Sequence, residues 1–276
     1  MNRLNLQKRV LTVQGKHGSH RQTYYIKPGE DPAFQLKKDH TVPTTAPRSR
    51  AEVHYGLFWS GKANKGMDHA LEAIGKVHDI PGNLTKIPVK VTGSLGGANG
   101  MYWFKHPSGR SEINVSKYAA WPASTLAHEY GHFLDHHLFG TGKPRLDGCG
   151  TLRNINKQGT QNNVTEAKEL RGLMNAIYRS DAAKRLVKSH DDRVVDGRST
   201  DFAKYLLMPP ELFARAYAQW IGTKASPQIR QEVAMYGEHC RQYGGYHAQW
   251  TDEDFKPIHA EFDRLFAHRN LLRSHA

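Results

Sequence analysis

From Ala51 to Gly82 the chain alternates in a helical rhythm, with Met67, Leu71, Ile74 and Val77 on one apolar stripe, and this pattern predicts a helix. Short runs rich in β-branched and aromatic residues follow at 86–91 (KIPVKV), 101–105 (MYWFK) and 112–116 (EINVS). Glycine-rich turns such as GSLGGANG separate them, as expected of strands. Upstream, RVLTVQ (9–14) and QTYYIK (22–27) flank GKHGSHR and read as a β-hairpin. The polar, two-proline segment from Lys38 to Arg50 reads as a linker. Downstream the period turns helical over roughly 123–138, 164–189, 210–221, 227–243 and 253–270, with a loop from Gly140 to Gly159. Strands followed by a helical block predict an α+β fold rather than alternating β-α units on a parallel sheet. The division is a basic N-terminal region, 1–50, and one domain, 51–276.

Composition narrows the classes. The chain has 276 residues, 38% of them hydrophobic, enough for a substantial core. It lacks the run of about 18 apolar residues that a membrane span requires, and the opening MNRLNLQKRVLTVQGK lacks a signal-peptide core. Cys149 and Cys240 are the two cysteines, which excludes a disulfide scaffold or a four-cysteine zinc module. A cytoplasmic location is the expectation. There are 39 Lys+Arg against 26 Asp+Glu, a net +13, and residues 1–50 hold ten of the bases and three of the acids. Such a balance attracts polyanions, and nucleic acid is the partner it suggests for the basic region. No phosphate-binding loop accompanies it, since GSLGGANG lacks the lysine.

The segment STLAHEYGHFLDHHL (124–138) carries the chemistry. His128-Glu129-Tyr130-Gly131-His132 is an H-E-x-x-H pattern, and on a helix positions i and i+4 lie on one face, so both imidazoles can reach one ion. Glu129, one position along, is offset around the axis and can address a water at that ion without ligating it. Ser124 or Thr125, after Pro122, is a candidate helix cap. Leu126, Tyr130, Phe133 and His137 form an apolar stripe, and Thr125, His128, His132, Asp135 and His136 lie opposite.

Zinc needs a further protein ligand. His136 stacks above His132, but three ligands rising along one straight helix cannot surround an ion, and the first downstream glycine, Gly140, comes after it. Asp135 shares that geometry and is better suited to orienting an imidazole. The third ligand is therefore expected from another element. Glu211 in PPELFARAYAQW is the choice, at the mouth of a helix started by proline and apolar around much of its girth. A carboxylate there is costly unless paired or metal-bound. Pairing with Arg215 at i+4 is the plain alternative, and Glu166 or Glu169 are the other candidate ligands.

Together, HEYGHFLDHH and YLLMPPELFARAYAQW resemble the gluzincin zinc metallopeptidases, and more narrowly a peptidase-like domain of large polyvalent phage and plasmid proteins. The resemblance spans about residues 85–225. It implies a zincin-like fold, Zn2+ on His128, His132 and Glu211, Glu129 as general base, and a protein or peptide substrate. Zinc would polarise water and the scissile carbonyl, while Glu129 would carry the proton to the leaving amine. A tyrosine or histidine commonly stabilises the oxyanion. Tyr205 is the catalytic candidate carried forward, with Tyr243, Tyr246 and His247 beside it. The resemblance also suggests that EINVS lines the cleft as a free edge, while the residues themselves read equally as an internal strand. His136 stands where many thermolysin-like chains have an aspartate. Two other functions compete: a basic, nucleic-acid-associated protein on a non-hydrolytic zinc scaffold, and a domain that binds a peptide without cutting it.

Overall fold

The computed structural model describes residues 7–15, 18–26, 50–54, 61–80, 84–104, 111–143, 148–153, 169–197 and 199–273. The linker expected at 38–50 lies outside these except for Arg50, as does Glu166.

Strands β1 (Gln7–Gly15) and β2 (Gly18–Ile26) pair antiparallel, with Val10 opposite Thr23, as a separate two-stranded sheet. Both run longer than the sequence runs implied, and the strands take up most of the expected turn. The second sheet has the order β3-β4-β6-β5, from β3 (Ala51–His54), β4 (Ile87–Thr92), β5 (Gly100–Trp103) and β6 (Glu112–Ser116). β3, β4 and β6 are parallel and β5 is antiparallel to β6. The class is mixed α+β and mostly helical, but the sheet corrects the expectation of no β-α alternation. Helix α1 (Gly61–Val77) crosses over between β3 and β4, as parallel neighbours require. It also starts ten residues after Ala51, because 51–54 is a strand.

Met67, Leu71 and Ile74 of α1 are fully buried against Ile87, Val89, Ile113 and Val115 of the sheet. Helix α2 (Pro122–His137) lies across them and is buried on nearly every face, with Leu126, Tyr130 and Phe133 in the core. Its cap is not Ser124 or Thr125: Trp121 holds the N-cap position without a side-chain bond, and the Ser124 amide donates instead to Glu232 Oε2 at 2.8 Å. After the short α3 (Gly150–Arg153), the helix expected over 164–189 is two where it is described, α4 (Arg171–Arg179) and α5 (Asp181–Val195). Ser180 ends the first, in extended backbone, and caps the second through the Ala183 amide. Helices α6 (Asp201–Leu207), α7 (Pro209–Ala225), α8 (Pro227–Gly244) and α9 (Asp252–His268) complete the fold. Among the described residues no helix is long and apolar enough to cross a membrane.

His78, just past α1, is fully buried among the rings of Tyr217, Trp220 and Phe266. Its Nδ1–H donates to the Leu271 carbonyl at 3.2 Å, tying the end of α1 to the segment after α9. Burial lowers this imidazole to about 4 despite that bond, with Lys224 adding to the effect. The unfolded chain, with an ordinary histidine near 6.5, therefore binds the extra proton between pH 6.5 and 4. Stability is lost as the pH falls through that window, by about 3 kcal/mol near pH 4. Urea unfolding of His78→Phe should show a correspondingly shallower acid limb than the parent.

Candidate metal centre

Two helices bring the cluster together. On α2 the four-residue spacing stacks His128 over His132, with His132 buried and His128 half-buried. Helix α7 crosses α2 where Gly131 faces Ala214: a Cβ at Gly131 would lie 2.9 Å from the Ala214 Cα and 3.3 Å from the Tyr217 ring. This close approach sets Glu211, in the first turn of α7, opposite both imidazoles. His128 Nε2 and His132 Nε2 are 3.1 Å apart. Glu211 Oε1 is 3.1 Å from His132 Nε2, and Oε2 is 3.3 Å from His128 Nε2.

These separations suit a common ion. Tetrahedral bonds of 2.0–2.1 Å from nitrogen and carboxylate oxygen imply ligand-to-ligand edges of about 3.3 Å. Glu211 Oε2 is buried and without a hydrogen-bond partner, as is His132 Nδ1. Among the described residues His128, His132 and Glu211 form a group able to hold a metal ion. Burial pushes the His132 imidazole down, but the charge and hydrogen bond of Glu211 outweigh it and raise it to about 9. Burial likewise opposes ionisation of Glu211, yet the two imidazoles hold its carboxyl well below the usual range.

Glu129 lies beside the cluster, facing β5. Gly100 leaves it room, since a Cβ there would sit 2.5 Å from Thr125 Cγ2 and 3.0 Å from Glu129 Oε1. Burial raises the Glu129 carboxyl above its ordinary value, while His128, His132 and a backbone hydrogen bond from Tyr102 work against that rise. A carboxylate so placed is disposed to accept a proton.

The surrounding groups follow the sequence reading in some places and depart from it in others. Asp135 does not orient an imidazole by hydrogen bonding. It accepts from the Thr151 amide and hydroxyl, at 2.8 and 2.7 Å, because α3 packs against the end of α2. His136 is fully buried, bonded to the Tyr102 hydroxyl at 2.6 Å and to the Lys143 carbonyl, and is no part of the cluster. Glu169 is engaged by Arg269 instead. Arg215 does not pair with Glu211; its guanidinium donates to the carbonyls of Leu206 and Ala248. EINVS is an interior strand, buried throughout between β4 and β5, so the strand at the cleft is β5.

A cavity of about 550 Å³ opens over His128, Glu129 and Glu211, walled by Asn99 and Gly100 on one side and α6 and α8 on the other. Tyr205 lines it; the residue is partly exposed, but desolvation of its phenol, then the Glu211 carboxylate nearby, raises it above the ordinary range. Tyr246 also lines it, His247 lies in an adjoining groove, and the side chain of Tyr243 is outside the described residues. Sequence reasoning missed Tyr236 and His239, which face the cavity from α8. Their spacing of three marks one helix face, but nothing local says which face meets the site. Compared with known protein families, characterised proteins and solved structures, the chain matches none.

Proposed function

We propose that the chain is a zinc-dependent peptidase of gluzincin type on a zincin-like fold, hydrolysing peptide bonds in a protein substrate. The observation that carries this reading is the convergence of His128, His132 and Glu211, the two imidazole nitrogens 3.1 Å apart and the two Glu211 oxygens 3.1 and 3.3 Å from one nitrogen each, with a buried carboxylate, Glu129, next to it. Two imidazoles and one carboxylate are the donor set zinc takes in hydrolytic sites that keep a position open. A zinc ion held there supplies Lewis acidity toward water and a carbonyl oxygen.

The chain's own residues do the rest. Glu129 accepts the proton of the attacking water and returns it to the departing amine, so no free amide anion has to leave. Its position over β5 puts that transfer beside the edge of the sheet, where an extended peptide can add as a further strand. The phenol of Tyr205, kept protonated, can donate to the oxyanion as it forms. Burial of the cluster under the cavity walls limits competing water and strengthens each of these interactions.

Metal analysis tests the premise. Glu211→Ala and His132→Ala should each abolish stoichiometric zinc binding, and with it peptide hydrolysis, while the parent retains zinc through gel filtration. Zinc retained by both variants would place the ion elsewhere. The net charge of +13 favours a second role, association with nucleic acid through the basic N-terminal region. Salt-dependent binding that persists in Glu129→Gln would support it.

A further inference from the structure

Beside the main cavity lies a second groove of about 650 Å³, between α5 and the end of α8. The two adjoin along the turn that ends α8, since Gly244 lines both and Tyr246, next to it, lines the first. The groove's rim is cationic. Arg185, Lys188 and Arg193 project from α5, with His247 facing them.

These charges are unevenly answered. Lys188 meets Asp192 at 2.9 Å, and both are exposed. Arg193 caps the Gly244 carbonyl and stacks its guanidinium 4.4 Å from the Tyr246 ring, which puts a cation on the wall shared with the cleft. Arg241, nearby on α8, is held by Glu238. Among the described residues Arg185 is exposed and makes no ion pair. Partial burial, then the charges of Arg185 and Arg241, lowers the His247 imidazole.

We propose that this groove extends the substrate cleft and receives acidic side chains of the peptide, so that the protein selects chains carrying Asp or Glu to one side of the cleaved bond. The inference rests on the peptidase reading above. A peptide leaving the metal cluster along the Tyr246 wall enters the groove, where Arg185 offers an unclaimed fork for a carboxylate and Lys188 can exchange Asp192 for the ligand. Exposed pairs of this kind contribute little each, so two or three together give a preference of about tenfold and not an absolute requirement.

The test uses the whole 276-residue chain, zinc-loaded and carrying Glu129→Gln, so that binding is read without cleavage. Fluorescein-labelled synthetic peptides share one core of mixed sequence and carry Glu-rich, Gln-rich or Lys-rich flanks. Anisotropy at low salt should show the Glu-flanked peptide binding about ten times tighter than the Lys-flanked one, the ratio shrinking toward unity at high salt. Arg185→Glu combined with Lys188→Glu should invert the order, with circular dichroism and zinc content reporting that the variant is folded. Equal binding of all three peptides, or a preference untouched by the double substitution, overturns the proposal. So does a DNA duplex that displaces the Glu-flanked peptide and loses its own binding in the double variant, because the groove then serves nucleic acid. Acid-selective binding with no cleavage of any peptide by the parent sinks the peptidase reading alone. Cleavage without acid preference sinks the groove alone.

Discussion

Replacing Glu129 with Gln is expected to leave zinc binding intact and to slow peptide hydrolysis by about a thousandfold. The substitution keeps the shape and the contact with Gly100 but cannot accept a proton, and Glu129 is not among the three residues whose atoms converge on the ion position. Paired metal analysis and initial-rate assays separate the possibilities. A variant that cuts at the parental rate would remove Glu129 from the chemistry. One that loses its zinc would make Glu129 part of the binding site. The surviving activity should reflect polarisation and positioning alone, which general-base catalysis only supplements.

The second large effect should come from a residue that touches neither metal nor substrate. Gly131→Val is expected to destabilise the fold by about 1–3 kcal/mol, as overpacking does, and to weaken zinc binding at least as strongly as removal of one ligand. The added Cβ would meet the Ala214 Cα at 2.9 Å, a backbone atom that cannot rotate away. Helix α7 would have to retreat from α2, taking Glu211 out of reach of the two imidazoles. Gly131→Ala should show the same direction to a smaller degree, offset in part by the better helix propensity of alanine, about 1 kcal/mol. Thermal unfolding with and without added zinc checks both. If the valine variant bound zinc like the parent, the helix crossing would not be what sets the cluster.

Much of this site was legible before any coordinates. The i, i+4 spacing of His128 and His132 is a local property, and a helix fixes it once formed. Glu211 could be chosen because a carboxylate heading an apolar helix demands compensation, and the structure does set it 3.1 and 3.3 Å from the imidazoles. The strands at 87–92 and 112–116 followed from β-branched runs between turns. What failed was whatever depends on a distant partner. Asp135 carries the same signature whether it serves His132 or Thr151, and the choice belongs to α3, whose Thr151 lies sixteen residues on. The N-terminus of α2 is capped by Glu232 from α8, which no local rule could indicate. EINVS and MYWFK were alike as strands, and only the sheet order made one interior and the other the edge. Ser180 was the exception. A Ser-Asp pair inside a helical run is a readable cap, and Ser180-Asp181 divides the segment 164–189 at that point.

The bond from the Ser124 amide to Glu232 has a further consequence. It fastens α8 to the helix that carries His128 and His132, while Arg215 fastens the Leu206 carbonyl of α6 and the Ala248 carbonyl to the helix that carries Glu211. Neither α6 nor α8, which form one side of the cavity, can swing outward without stripping the Ser124 amide or the buried Arg215 guanidinium of its partner, so widening the cavity on that side breaks these bonds. A folded loop would need it to gape. On the peptidase reading proposed above, an unstructured tail threading in already straightened would not.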